Sequence, residues 1–214
     1  MREYHKIDSI YKRGLDGKML FGQYSRPEFE YLKDNLWTCT EKIDGTNIRV
    51  MWKKDSEDNF HFEFGGKTDN AQMVPGLISK LWEIFDDYMK FKFTERFTEE
   101  TCLYGEGYGK KINNGGKYVE GTDNDYGFAL FDIRIGNWWL KADDVRTIAE
   151  ELVIGVVPQL GLLTLSGIEI MCANEFISRW GDFVAEGIVA KPYVDLNDRA
   201  CRRIITKLKV RDFK

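Results

Sequence analysis

Between Asn47 and Phe64 the chain alternates apolar and polar residues with a period of two, once on each side of a polar loop. Ile48, Val50 and Trp52 fall on one side of the pattern and Asn47, Arg49 and Lys53 on the other; after Asp55–Asn59, Phe60, Phe62 and Phe64 repeat it. Side chains alternate faces along a strand and not along a helix, so this stretch predicts a half-buried antiparallel hairpin. Further strands are expected at Thr101–Tyr108, at the strongly apolar Tyr126–Ile135, and at Ala185–Ala190 and Arg203–Val210. Pro75-Gly76 opens a helix that carries Leu77, Leu81, Phe85 and Tyr88 inward at helical spacing. A second, amphipathic helix is expected over Ala142–Val153, and a short third one over about Asn174–Trp180. Strands in antiparallel groups with flanking helices make an α+β fold.

With 214 residues, 43% hydrophobic, and only 4 prolines, the chain has enough apolar surface for a sizeable core and no obvious linker. One domain over 1–214 is expected. A net charge of −4 argues against coating nucleic acid through overall charge. The C-terminus differs: Arg199, Arg202, Arg203, Lys207, Lys209, Arg211 and Lys214 face a single acid, Asp212. That excess on an acidic body predicts one focused anion site, the plain alternative being a solvated basic tail. Cys39, Cys102, Cys172 and Cys201 are dispersed, and neither His5 nor His61 falls at metal-ligand spacing from them, which disfavours structural zinc and a disulfide framework. Reduced thiols, no leader-like start and no long apolar run lead to the expectation of a cytoplasmic, monomeric protein with no membrane contact.

Five strand-ending segments carry polar chemistry. In Glu41-Lys42-Ile43-Asp44-Gly45-Thr46 a lysine sits where a strand meets a tight Asp-Gly turn, so its amine is aimed in one direction. In Leu103-Tyr104-Gly105-Glu106-Gly107, glycines on both sides of a carboxylate let a ligand approach the backbone closely. Phe128–Asp132 is apolar and would present an aromatic face, and Glu186–Lys191 brackets a buried strand with a carboxylate and a lysine. In Ile205-Thr206-Lys207-Leu208-Lys209 both lysines share a face, and two adjacent ammoniums repel unless an anion such as phosphate lies between them. Each segment alone has a plain structural explanation: a hairpin turn, a bulge, core packing, a surface acid, a solvated strand. Their order in one chain has none.

In that order, EKIDGTN, LYGEGYG, FALFDI, EGIVAKP and IITKLKV resemble motifs I, III, IIIa, IV and V of the covalent nucleotidyltransferases, the superfamily of polynucleotide ligases and mRNA capping enzymes. The wording is similar to the RNA ligase branch that includes phage RNA ligase 2. Gly65-Gly66-Lys67-Thr68-Asp69-Asn70, Tyr108-Gly109-Lys110-Lys111-Ile112 and Lys209-Val210-Arg211-Asp212-Phe213 support it, and the resemblance runs from about residue 37 to the end. It implies the ligase catalytic-domain fold, which is ATP-grasp-like.

The resemblance further implies an ATP-dependent RNA ligase. A lysine attacks the α-phosphorus of ATP and releases pyrophosphate; AMP passes to a 5′-phosphate; a 3′-hydroxyl then seals the strand. Lys42 would be the nucleophile. An ordinary lysine is protonated at neutral pH, so cationic neighbours or desolvation have to favour its neutral form. Lys209 would contact the α-phosphate, Lys207 would assist, and Glu186 would help hold magnesium or, alternatively, manganese. Glu106 would bind ribose, Phe131 would stack on adenine, Glu41 would reach the base edge, and Asn47 would serve phosphate or metal-bound water. Lys67 departs from the family's arginine and loses its forked geometry, so either binding of the 5′-phosphate end is weaker or Arg49 would compensate. Arg49, Arg202, Arg203 and Arg211 would touch the nucleic acid weakly. The partners would be RNA ends, in a nicked duplex or single strand, with DNA as the alternative. The sequence stops soon after motif V, with no OB-fold or helical domain following; this suits a minimal ligase or the catalytic part of a longer protein. A minimal DNA ligase, a GTP-using capping guanylyltransferase and an inactive end-binding module are the competing readings.

Overall fold

A computed structural model describes residues 3–214. The first strands are short: β1 (Asp8–Ser9), β2 (Tyr11–Arg13) and β3 (Met19–Tyr24), followed by helix α1 (Pro27–Tyr31) and β4 (Trp37–Glu41). The alternating stretch forms β5 (Thr46–Lys54) and β6 (Phe60–Gly65), paired antiparallel as expected. Asp55 closes their loop by accepting the backbone N–H groups of Glu57 and Asn59. Helices α2 (Pro75–Ile84) and α3 (Asp87–Arg96) precede β7 (Thr101–Gly109), β8 (Tyr126–Ile135), β9 (Trp138–Trp139) and α4 (Ala142–Leu152). The chain ends with β10 (Gln159–Leu163), α5 (Leu165–Ala173), β11 (Gly187–Pro192) and β12 (Thr206–Lys209). This is the α+β class, with largely antiparallel sheets; the pair β1–β12 is parallel. Among the described residues no helix is long and apolar enough to cross a membrane.

The chain divides into two compact units. Unit 1 contains Asp44–Val157 with Glu3 and Tyr4. Its sheet runs β6-β5-β7-β8-β9. One sheet face carries Ile48, Val50, Trp52, Leu103, Phe128 and Leu130 into a core closed by Leu77 and Leu81 of α2, Phe93 of α3 and Ile148 of α4. Burial of these side chains contributes roughly 1.5–3 kcal/mol each. β5 is more enclosed than a half-buried strand: Arg49 and Met51, on the other face, are also buried. Unit 2 contains His5–Ile43 and Pro158–Lys214. Its sheet runs β1-β12-β11-β4-β10, and Trp37, Ile188 and Leu208 pack against Leu165, Ile168 and Cys172 of α5.

Two helical expectations need correction. The helix opened by Pro75 stops at Ile84, because the Asp86 carboxylate accepts the Met89 N–H and starts α3 afresh. Tyr88 therefore lies 64% exposed, and Met89 and Phe93 take the inward positions. The short helix expected over 174–180 lies earlier, at Leu165–Ala173, where Thr164 caps it by accepting the Gly167 N–H. Residues 174–180 are irregular, beginning with Glu175 at a positive φ.

Candidate active site

Unit 2 builds its site from the end of β4. The Lys42 N–H donates to Gly187 O at 2.9 Å, which carries the β4–β11 ladder one residue beyond the strand. The Lys42 ammonium reaches Glu186 Oε2 at 2.6 Å and Ile43 O at 3.2 Å. Lys209 Nζ lies 2.6 Å from the other oxygen, Oε1. One carboxylate, 8% exposed, thus bridges two amines whose side chains are 20% and 16% exposed. Gly187 makes this possible: a Cβ there would lie 2.2 Å from Leu208 O, so only glycine lets β11 and β12 close at this point. Lys207 and Lys209 are partly exposed on one face of β12, while Leu208 and Val210 are buried on the other. The anion expected between neighbouring lysines is supplied for Lys209 by the protein itself.

Glu41 does not have a free carboxylate for a base edge. It is 1% exposed, its Oε1 accepts the Ser178 hydroxyl at 2.5 Å, and its Oε2 accepts the Arg179 N–H at 2.8 Å. Alternation along β4 sends Glu41 and Lys42 to opposite sides, so Glu41 anchors the loop between α5 and β11. Ser178 lies in the turn-like Ser178-Arg179-Trp180-Gly181-Asp182, where no periodicity marks it. The basic C-terminal strip is also broken up. Asp198 takes Arg202 at 2.8 Å and Arg26 at 2.9 Å, and Lys214 pairs with Glu175 at 2.8 Å. Backbone N–H donation from Arg202, with the Arg202 guanidinium, holds the Asp198 carboxyl below the usual carboxylate range. Arg203 bridges to Asn197 through its backbone, and Arg211 is exposed in a 3₁₀ turn at Val210–Phe213.

Unit 1 presents a second group of residues on the sheet face opposite its core. Asn47 on β5 lies opposite Glu106 on β7, which lies opposite Ala129 on β8. Asn47 Oδ1 is buried and has no hydrogen-bond partner among the described residues. Gly45 packs so closely that a Cβ would lie 2.3 Å from Gly107 O. The turn is pinned by three residues that the sequence did not single out: Tyr118 Oη accepts the Asp44 N–H, Asn114 donates to Asp44, and Asn113 donates to Gly45 O. Their only sequence signal is the turn-forming run Asn113-Asn114-Gly115-Gly116. Phe131 is partly exposed and is the extra residue of a β-bulge: Tyr104 pairs with Asp132, whereas Gly105 pairs with Leu130.

Arg49 corrects another expectation. It is 1% exposed, with Nε donating to Gly66 O at 2.8 Å and its guanidinium 2.8 Å from Asp69 Oδ1. Rather than facing a nucleic acid, it fastens the loop that carries the exposed Lys67.

The family model described as RNA ligase matches residues 35–209. The chain belongs to the RNA ligase family. Among solved structures, an RNA ligase of Naegleria gruberi with ATP and Mn aligns with a TM-score of 0.67 at 18% identity, covering 98% of this chain and 56% of that one. A second form with ATP and Mn gives 0.62 at 20% identity, covering 86% and 51%, and an apo form gives 0.63 at 18%, covering 97% and 57%. These likenesses show a shared nucleotidyltransferase-type fold, and this RNA ligase family member spans about half the length of those chains. No curated protein sequence matches it significantly.

Among the described residues no group of three or more His, Cys, Asp or Glu side chains could hold a metal ion. Glu186 is a single carboxylate with both oxygens on ammoniums. A divalent ion could reach Glu186 only after one ammonium leaves it, and it would have to bring its remaining ligands as phosphate and water.

Proposed function

We propose that this chain is the catalytic part of an ATP-dependent RNA ligase, and that Lys42 is its nucleophile. The observation that carries the reading is the bridging of Lys42 and Lys209 by Glu186. In the resting arrangement both amines are held at fixed positions with one negative charge between them. A triphosphate brings a stronger anion to Lys209, which lets that amine leave Glu186 for phosphate. Lys42 must shed a proton before it attacks, and Glu186 Oε2 is the acceptor in place. The Lys42 nitrogen then forms a bond to the α-phosphorus as the bond to the pyrophosphate oxygen breaks. Lys207 adds positive charge on the same strand face.

Glu106 takes the ribose hydroxyls, the unpartnered Asn47 oxygen accepts from a ligand donor, and Phe131 offers its ring to the base. Lys67 presents a cation to a phosphate. A divalent ion such as magnesium or manganese would supply charge neutralisation on the phosphates; Glu186 would be its protein carboxylate until that group takes the Lys42 proton. The later steps move AMP from Lys42 to an RNA 5′-phosphate and join that end to a 3′-hydroxyl, the chemistry of RNA repair. We extend the proposal to both units acting as one adenylyltransferase domain in a cytoplasmic monomer.

Denaturing-gel labelling with α-labelled ATP and a divalent metal tests this. Wild type should carry the label, Lys42→Ala should carry none, and α-labelled GTP should give none. Labelling of Lys42→Ala at the wild-type level would remove Lys42 as the nucleophile. Matched nicked RNA and DNA duplexes then separate RNA sealing from DNA sealing.

A further inference from the structure

We propose that Tyr4 is a positioning residue for Phe131, holding the β-bulge on which that ring is displayed. Tyr4 lies well before the family match over residues 35–209 and belongs to unit 1. It is 8% exposed, and its hydroxyl donates to Asp132 Oδ2 at 2.5 Å. Asp132 is fully buried and directly follows the bulged residue. The Tyr4 ring meets Phe131 edge-on, with centroids 5.1 Å apart, and also packs on Tyr104 at 5.1 Å and on Trp139 at 5.8 Å.

A bulge lacks one rung of ladder hydrogen bonding, so its local geometry depends on what packs against it. Here the supports are a hydrogen bond to a buried carboxylate on one side of Phe131 and an aromatic edge on its ring. Glu3 reinforces the placement by accepting the Asp69 N–H. Tyr4 fixes the direction of the Phe131 ring without itself belonging to the strand. The functional half of this inference rests on Phe131 facing the base.

The test compares Tyr4→Phe and Tyr4→Ala with wild type, first by hydrogen exchange across β8 and then by the ATP dependence of self-labelling. Tyr4→Phe keeps the ring and loses the hydrogen bond, so it guards against simple misfolding. Exchange at Phe131–Ile133 should rise about tenfold in Tyr4→Phe, the equivalent of one hydrogen bond to a charged group, while exchange in β5 and β7 is unchanged. The ATP concentration that gives half the limiting labelling rate should rise about tenfold in Tyr4→Ala, with the limiting rate nearly constant, because uniform binding is lost. Unchanged exchange in both variants would overturn the positioning role, whatever the activity. Altered exchange with a wild-type ATP dependence of labelling would overturn its link to the base. If wild type itself fails to label with ATP, the ligase reading fails while the exchange result still decides whether Tyr4 holds the bulge.

Discussion

Replacing Glu186 by glutamine removes the negative charge shared by Lys42 and Lys209 and changes little in side-chain volume. A hydrogen bond to a charged group contributes roughly 1.5–3 kcal/mol net, and Glu186 makes two of 2.6 Å. The glutamine carbonyl can keep one lysine, but its amide N–H₂ meets the other donor to donor. Lys42 and Lys209 are 20% and 16% exposed, so both ammoniums regain part of their hydration, which lowers the loss. The expected destabilisation is about 2–3 kcal/mol, less than for a fully buried pair. For a chain of this size that lowers the melting midpoint by about 4–12 °C. Thermal melts of wild type and Glu186→Gln, at low and high salt, measure it. The loss should persist in salt, because a mostly enclosed contact is weakly screened. Self-labelling with ATP should fall with it, since Lys42 loses its proton acceptor. A Glu186→Gln variant that melts with wild type would refute the bridge. So would a Lys42→Met, Glu186→Gln double variant whose losses simply add.

Ser178→Ala should destabilise by about 1–3 kcal/mol, because it leaves Glu41 Oε1 buried without its donor; Ser178→Thr should restore most of that in the same melts. Cys201 is exposed, and Cys39, Cys102 and Cys172 are buried, so a thiol reagent should modify one cysteine in the folded protein and four after denaturation. Burial pushes the Cys39 and Cys172 thiols up to about 12 and Cys102 to about 11, from 9.0. The folded state keeps these protons while the unfolded chain releases them, so the stability they provide is intact below pH 9.0 and is lost as pH rises toward those values. Denaturant midpoints across alkaline pH check the sign; a midpoint rising above pH 9 would contradict it.

Period-two segments were readable because strand alternation is local: β5, β6 and β8 lie where Ile48, Phe62 and Leu130 place them. Helix limits were less readable, since Asp86 and Thr164 decide them by capping and neither interrupts an apolar pattern. Residue type and period two single out the lysines of β12 and the carboxylate at Glu186, but not their pairing. Lys42 and Glu186 are separated by 144 residues, and a charge pair at that separation leaves no mark in either neighbourhood. Glu41 and Arg49 show the converse: polar residues beside functional positions read as ligand contacts, yet their buried head groups are taken up by Ser178 and Gly66. Tyr4 was invisible for the same reason, because nothing near the N-terminus signals a partner at Asp132.

The interruption of unit 2 by unit 1 fixes an order of events during synthesis. The chain leaves unit 2 after Ile43 and re-enters at Pro158, whose carbonyl accepts the Glu41 N–H at 2.8 Å. On the ribosome, the sheet β6-β5-β7-β8-β9 is complete before β10 has been made, so it can close first. β4, emerging early, gains no neighbour in its own sheet until β10 and β11 follow. Lys42 therefore waits through most of translation for Glu186, and its ammonium acquires that counter-charge only when the last strands are in place.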